Sequence, residues 1–122
     1  DHYRRQSCDG LVLPSVSHDG VRLPIARICH RLRNHRPPQL VVVDGAQGFA
    51  HTDNREDVAA ADIYLASAHK WLRSGMPLGI AIVPNADLRG RLLSACVSRS
   101  TAGDSLLRLL EEWSTGGSTP FG

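Results

Sequence analysis

The chain has 122 residues, an apolar share of 42% and a net charge of +2. That length bounds it to one domain at most yet allows a buried core, and the composition argues against wholesale disorder. The arginines are scattered at this small net charge, so no nucleic-acid footprint is implied, and no apolar run of about 18 residues offers a membrane span.

Cys8, Cys29 and Cys96 are odd in number and widely spaced. They read as reduced thiols of a cytoplasmic protein, not as a disulfide framework. The opening "DHYRRQSCDG" has neither the apolar stretch of a secretory leader nor an initiator Met. The closing "STGGSTPFG" has loop composition. A fragment of a longer chain is expected.

In chain order, "LVLPSVS" (residues 11–17) reads as a short strand with a Pro kink, and "HDG" as a turn. From Pro24 the period changes. Ile25, Ile28, Cys29 and Leu32 fall on one helical face, with Pro24 suited to a first helical position. Pro37 and Pro38 stop that helix. "LVVVD" (residues 40–44) is then a strand buried on both faces, and the three segments form a βαβ unit with parallel strands. "NREDVAAAD" reads as a short helical or irregular connector. "IYLAS" (residues 63–67) is a third strand, and "LGIAIVP" (residues 78–84) a fourth that returns antiparallel after the loop "HKWLRSGMP". "NADLRGRLLSAC" carries a weak helical stripe of Leu88 and Leu92 with Asn85 as N-cap, and Cys96 is expected just after it in a structural role. "DSLLRLLEEW" reads as a further helix, with Asp104 as N-cap and Leu106, Leu109, Leu110 and Trp113 on one face.

The fold class is therefore α/β, a mostly parallel sheet with flanking helices. Ligands of such sheets bind outside the carboxyl ends of the strands. There the most apolar strand ends in Asp44, and the next is followed by Ser67, His69 and Lys70. Pyridoxal phosphate needs that set: a lysine for its aldehyde, an acid beside its ring nitrogen, and donors for its phosphate and ring hydroxyl. Gly45 would let backbone pass close to the ring. Alone, "DG" would be only a turn and "HK" only a solvated loop lysine. The combination carries the assignment.

"VVVDGAQ" followed by "SAHK", with Lys70 26 positions after Asp44, resembles the class V aminotransferase family of fold type I pyridoxal phosphate enzymes. Cysteine desulfurases, kynureninases and isopenicillin N epimerase-like proteins belong to it. The likeness runs over residues 11–84, and "HKWL" resembles the epimerase-like members more than the short turn of the desulfurases. The resemblance implies that Asp44 pairs with the pyridinium nitrogen, Gln47 bonds the ring hydroxyl, Ser67 and His69 contact the phosphate, and Lys70 is the Schiff-base lysine. In the full-length protein, imine formation needs an unprotonated amine, so partial desolvation of Lys70 between two strand tips is expected there. Ser17 falls where the family places a polar residue near the cofactor. It further implies that residues 1–122 are part of the large domain, without its beginning and without the small domain. The whole enzyme would be a homodimer acting on a small amino acid or amine. Substrate and reaction type stay open.

Two other readings remain. One is a cofactor-free phosphate-binding α/β domain, weakened by the lack of a Gly-rich phosphate loop. The other is a noncatalytic relative, against which the intact Asp44, Gln47, His69 and Lys70 speak. His51 and Asp53 read as surface-loop residues, not metal ligands. His18 reads as a turn residue and His30 as helix surface. Cys29 is assigned to the core, and Trp71 and Trp113 to packing.

Overall fold

The structure is a computed structural model and describes Arg5 and residues 8–99. The helix expected around Asp104 and Trp113 lies outside the described residues. A four-stranded sheet has the order β1 (Gly10–Pro14), β2 (Leu40–Asp44), β3 (Ile63–Ser67), β4 (Gly79–Ile82). The β1–β2 and β2–β3 pairs are parallel and β3–β4 is antiparallel. The α/β class and the antiparallel return both match the sequence reading.

Helix α1 (Ile25–Arg33) links β1 to β2, and α2 (Arg55–Ala60) lies in the connection from β2 to β3. Pro24 stands one position earlier than expected, as the N-cap residue. Its fixed φ suits that entry, and its missing N–H costs nothing there. Ile25 and Cys29 are fully buried, one helical turn apart. His30, Arg31 and Arg33 crowd the last turn, where cations favour the helix dipole. Arg33 goes further and donates to the Ala60 carbonyl at 2.8 Å, capping the end of α2. At the entry to β3, Asp62 holds the start of β2 on both sides: its Oδ2 accepts from Val41 N at 2.7 Å and its N–H donates to Val41 O at 2.9 Å.

The core lies on one face of the sheet. Val41, Val43, Tyr64 and Ala66 point there and meet Ile25, Cys29, Ala60 and Ala61. Strand alternation dictates that Val12 and Leu65 face the other way, and they are 71% and 41% exposed. "LVVVD" reads as buried on both faces, but Val42 is only half-buried among the described residues.

Strand β1 is shorter than expected. It ends at Pro14, and Val16 leaves it for an isolated bridge to Arg22 across the "HDG" turn. Gly20, at φ +81°, makes that turn possible.

Helix α3 (Ala86–Arg99) belongs to a second compact unit. Asn85 caps it, with Oδ1 accepting from Leu88 N at 2.9 Å. The helix runs beyond the expected stripe, so Cys96 lies inside it and is exposed, not in a structural position after it.

A parallel sheet is ordinarily covered on both faces. The 122-residue chain on its own is therefore expected to self-associate in solution and to bind a dye that reports exposed apolar surface. A sharp, reversible, monomeric melt would contradict this.

Candidate active site

Because β1, β2 and β3 run parallel, their carboxyl ends lie at one edge of the sheet. Pro14 stands beside Asp44, and Asp44 beside Leu65. Asp44 is exposed at the tip of β2. Its backbone carbonyl accepts from Ser15 N at 2.8 Å, and Gly45 N donates to Leu65 O at 2.7 Å, so the ladder continues through the tip. The carboxylate Oδ1 accepts from Ala46 N at 2.9 Å, a side-chain turn that braces the group at the strand tip.

The chain then folds into a tight turn. Gly48 N and Phe49 N both donate to Gly45 O. Ala50 takes a left-handed φ of 60°. Thr52 Oγ1 and Asn54 Nδ2 both return to Gly48 O, at 3.2 and 3.1 Å. Gln47 sits at the exposed crest.

Gly45 is required here, but for a reason other than room for a ligand. A Cβ at this position would lie 2.0 Å from Cζ and Oη of Tyr64, whose ring is fully buried beneath the turn. The space left by the missing side chain is filled from the core side. Sequence periodicity marks Tyr64 as a strand residue; which turn its ring supports is set by the β2–β3 register.

On the neighbouring strand, Ser67 is buried and its Oγ lies 2.9 Å from Nδ1 of His69. That contact orients the imidazole and leaves Nε2, 3.5 Å from the same hydroxyl, the less engaged nitrogen. His69 and Lys70 are exposed. The structure thus brings Asp44, Gln47, Ser67, His69 and Lys70 to the same edge, on two adjacent strands and the loops that follow them.

Trp71 is more than packing. Its Nε1 donates to the Gln47 carbonyl at 2.8 Å, and its ring stacks on His51 with centroids 3.9 Å apart and planes 10° from parallel. A cleft of about 330 Å³ opens beside them, lined by Ser17, His18, Gln47, His51 and Trp71. No sequence spacing announces these contacts, because the partners are 20 and 24 positions away. Asp53 is not paired with His51. Arg55 Nη2 binds it at 2.6 Å, and that hydrogen bond holds the Asp53 carboxyl down to about 2.

Beneath the turn lies a buried polar group. Ser15 Oγ, Tyr64 Oη and Asp57 Oδ2 have no hydrogen-bond partner among the described residues. Burial pushes the Tyr64 phenol up, and the neighbouring Ser15 hydroxyl pulls the other way without full hydrogen-bond geometry. Burial also raises the Asp57 carboxyl, opposed by the Arg22 guanidinium at 3.6 Å.

With this geometry in place, the comparison with known families is decisive. Residues 12–93 match the family described as Aminotransferase class-V. The chain belongs to the class V aminotransferase family. The match runs from β1 into α3 and contains every residue of the site edge. The family's members generally depend on pyridoxal phosphate. Comparison with curated proteins returned no match. Among the described residues no helix is long and apolar enough to cross a membrane.

Two outcomes follow. Gly45→Ala forces Tyr64 or the turn to move, and should destabilise the protein by about 1–3 kcal/mol in a urea melt. Combined with Tyr64→Leu the loss should be less than additive, since both act on one contact. Asp57→Asn should show a pH signature. A carboxyl whose folded pKa is raised makes the fold less stable as pH climbs from the unfolded value of 3.8 through the folded one. Below 3.8 the Asn variant gains nothing from the change; its melting temperature should rise relative to the parent as pH climbs above 3.8. A difference that is flat with pH would refute this.

Proposed function

We propose that this chain forms the cofactor floor of a pyridoxal phosphate enzyme acting on a small amino acid or amine. One observation carries the reading. Two adjacent parallel strands, inside the family match, deliver Asp44 and the Ser67–His69–Lys70 group to one sheet edge.

The donor set fits the cofactor. Asp44 would sit against the ring nitrogen and keep its proton there, with Oδ1 braced by Ala46 N. Gln47 would donate to the ring hydroxyl from the crest of the turn. Ser67 and His69 would bind the phosphate, their 2.9 Å contact holding the imidazole in place. Lys70 would hold the cofactor covalently and later move protons at the substrate. Bound pyridoxal phosphate supplies an electron sink for charge that develops on the substrate carbon. What the protein adds is the fixed charge of Asp44, which keeps that sink strong without reorganisation.

The reaction is aminotransferase, desulfurase, lyase or epimerase chemistry, all of which begin from the same floor. The open face of the sheet supports a larger domain in the whole enzyme, of which residues 1–122 are a part. A cytoplasmic homodimer is the assembly we assign to it.

The test uses the full-length protein loaded with pyridoxal phosphate. It should be yellow, and borohydride should fix the cofactor to Lys70 in a peptide map. Lys70→Ala should lose that link and all turnover while keeping some noncovalent binding. Asp44→Ala should keep the link and lose about 10²–10³-fold in kcat. Cofactor fixed to another lysine, or to none, would overturn the assignment.

A further inference from the structure

The geometry points to Trp71 as a positioning residue that sets where Lys70 stands, an inference that rests on the role proposed for Lys70. Lys70 lies on the excursion between β3 and β4. The base of that excursion is closed by Ala68 N donating to Leu78 O at 2.9 Å, which extends the antiparallel ladder one step past Ser67 and Gly79. Beyond the base, Ser74 N returns to Ala68 O at 3.2 Å, and Ser74 Oγ donates to Met76 O at 2.7 Å. These contacts shape the loop but leave it undirected relative to Asp44, because all of them stay within it.

Trp71 provides the direction. It is joined to Lys70 by one peptide bond, and its indole crosses to the turn that follows Asp44. There it makes two contacts of different kinds. Nε1 donates to the carbonyl of Gln47, and the ring lies flat on His51. A hydrogen bond fixes the end of the indole and a stack fixes its plane, so together they leave little freedom for the backbone at 70–71. Arg73 absorbs the resulting reversal with a left-handed φ of 52°. Burial does not explain the arrangement, since Trp71 is 46% exposed and its neighbour Leu72 51%. An indole half in water yet tied at both its edge and its face is held for its position. The same carbonyl belongs to Gln47, so the latch couples the lysine loop to the crest whose side chain is assigned to the ring hydroxyl.

A latch of this kind acts on bond formation and leaves the cofactor pocket itself in place. The experiment therefore compares two probes on the full-length apoprotein: pyridoxal phosphate, followed by the visible absorbance of its bond to lysine, and pyridoxine phosphate, which lacks the aldehyde and reports binding alone. Trp71→Ala should slow bond formation at least roughly 10-fold, as expected when a reacting group is misplaced, with the affinity for pyridoxine phosphate unchanged. Trp71→Phe keeps the stack and loses the N–H; His51→Ala keeps the N–H and loses the stack. Both should fall between. Trp71→Phe decides the matter if Trp71→Ala does not fold. Equal rates in parent and variants, or a parallel loss of pyridoxine phosphate affinity, would overturn the latch while leaving the role of Lys70 intact. A parent protein that forms no bond at Lys70 would overturn the proposed function and the latch with it.

Discussion

The contact between Gly45 and the ring of Tyr64 governs the rest of this structure. Among the described residues Tyr64 is the largest fully buried side chain, and it stands on β3 beside Val43 in the parallel register. Its ring extends past the end of β2 and fills the space under the first residue of the turn. No residue larger than glycine fits above it. The close approach lets Gly45 N reach Leu65 O, which keeps β2 and β3 paired to their tips. Asp44 is then held at the rim with its backbone locked on both sides, by Ser15 and by Leu65. The position of a solvent-exposed carboxylate is thus decided by a fully buried ring.

The same arrangement has a cost. Burying Tyr64 and Asp57 leaves Ser15 Oγ and Tyr64 Oη without a hydrogen-bond partner among the described residues, and Asp57 Oδ2 with the Arg22 guanidinium at 3.6 Å but no hydrogen bond. An apolar replacement would avoid the desolvation. Stability alone therefore does not account for a phenol, a serine and a carboxylate below a turn that carries Asp44 and Gln47. Departures from the most stable solution collect where a sequence serves a site as well as a fold.

How much of this was legible follows from what each signal depends on. "LVVVD" and "IYLAS" were readable as strands because they are short β-rich runs bounded by turn residues, and Ile25 and Cys29 as a core face because the helical period is local. Asp44, Ser67, His69 and Lys70 were readable as one edge because parallel strands must share a carboxyl end. The end of β1 was not, since "SVS" still looks like strand; the bridge from Val16 to Arg22 shows where the chain has gone. The role of Gly45 was misread for a related reason. A glycine next to a candidate ligand site invites a ligand explanation, and which way its absent Cβ points depends on the register of another strand. Cys96 was placed after a helix that in fact continues past it, because the thin apolar stripe of Leu88 and Leu92 made α3 look shorter than it is. Trp71 looked like packing because aromatic residues usually are. Its hydrogen bond and stack depend on a turn more than 20 residues away.

These contacts divide the edge into a stiff side and an adjustable side. Asp44 is braced by the sheet ladder, the Ala46 turn and a ring in the core, so its charge can stay in one place through a reaction. Lys70 is exposed, on a loop whose tie to that turn is made through a half-exposed indole. Such a division suits a site in which one group must keep a constant field and another must bond, release and carry protons. A preorganised charge acts best when it cannot move. A lysine that changes partners cannot be locked in the same way. The strand supplies the first property and the loop the second. For the function proposed here, that is a physical reason for putting the acid at a strand tip and the lysine just beyond one.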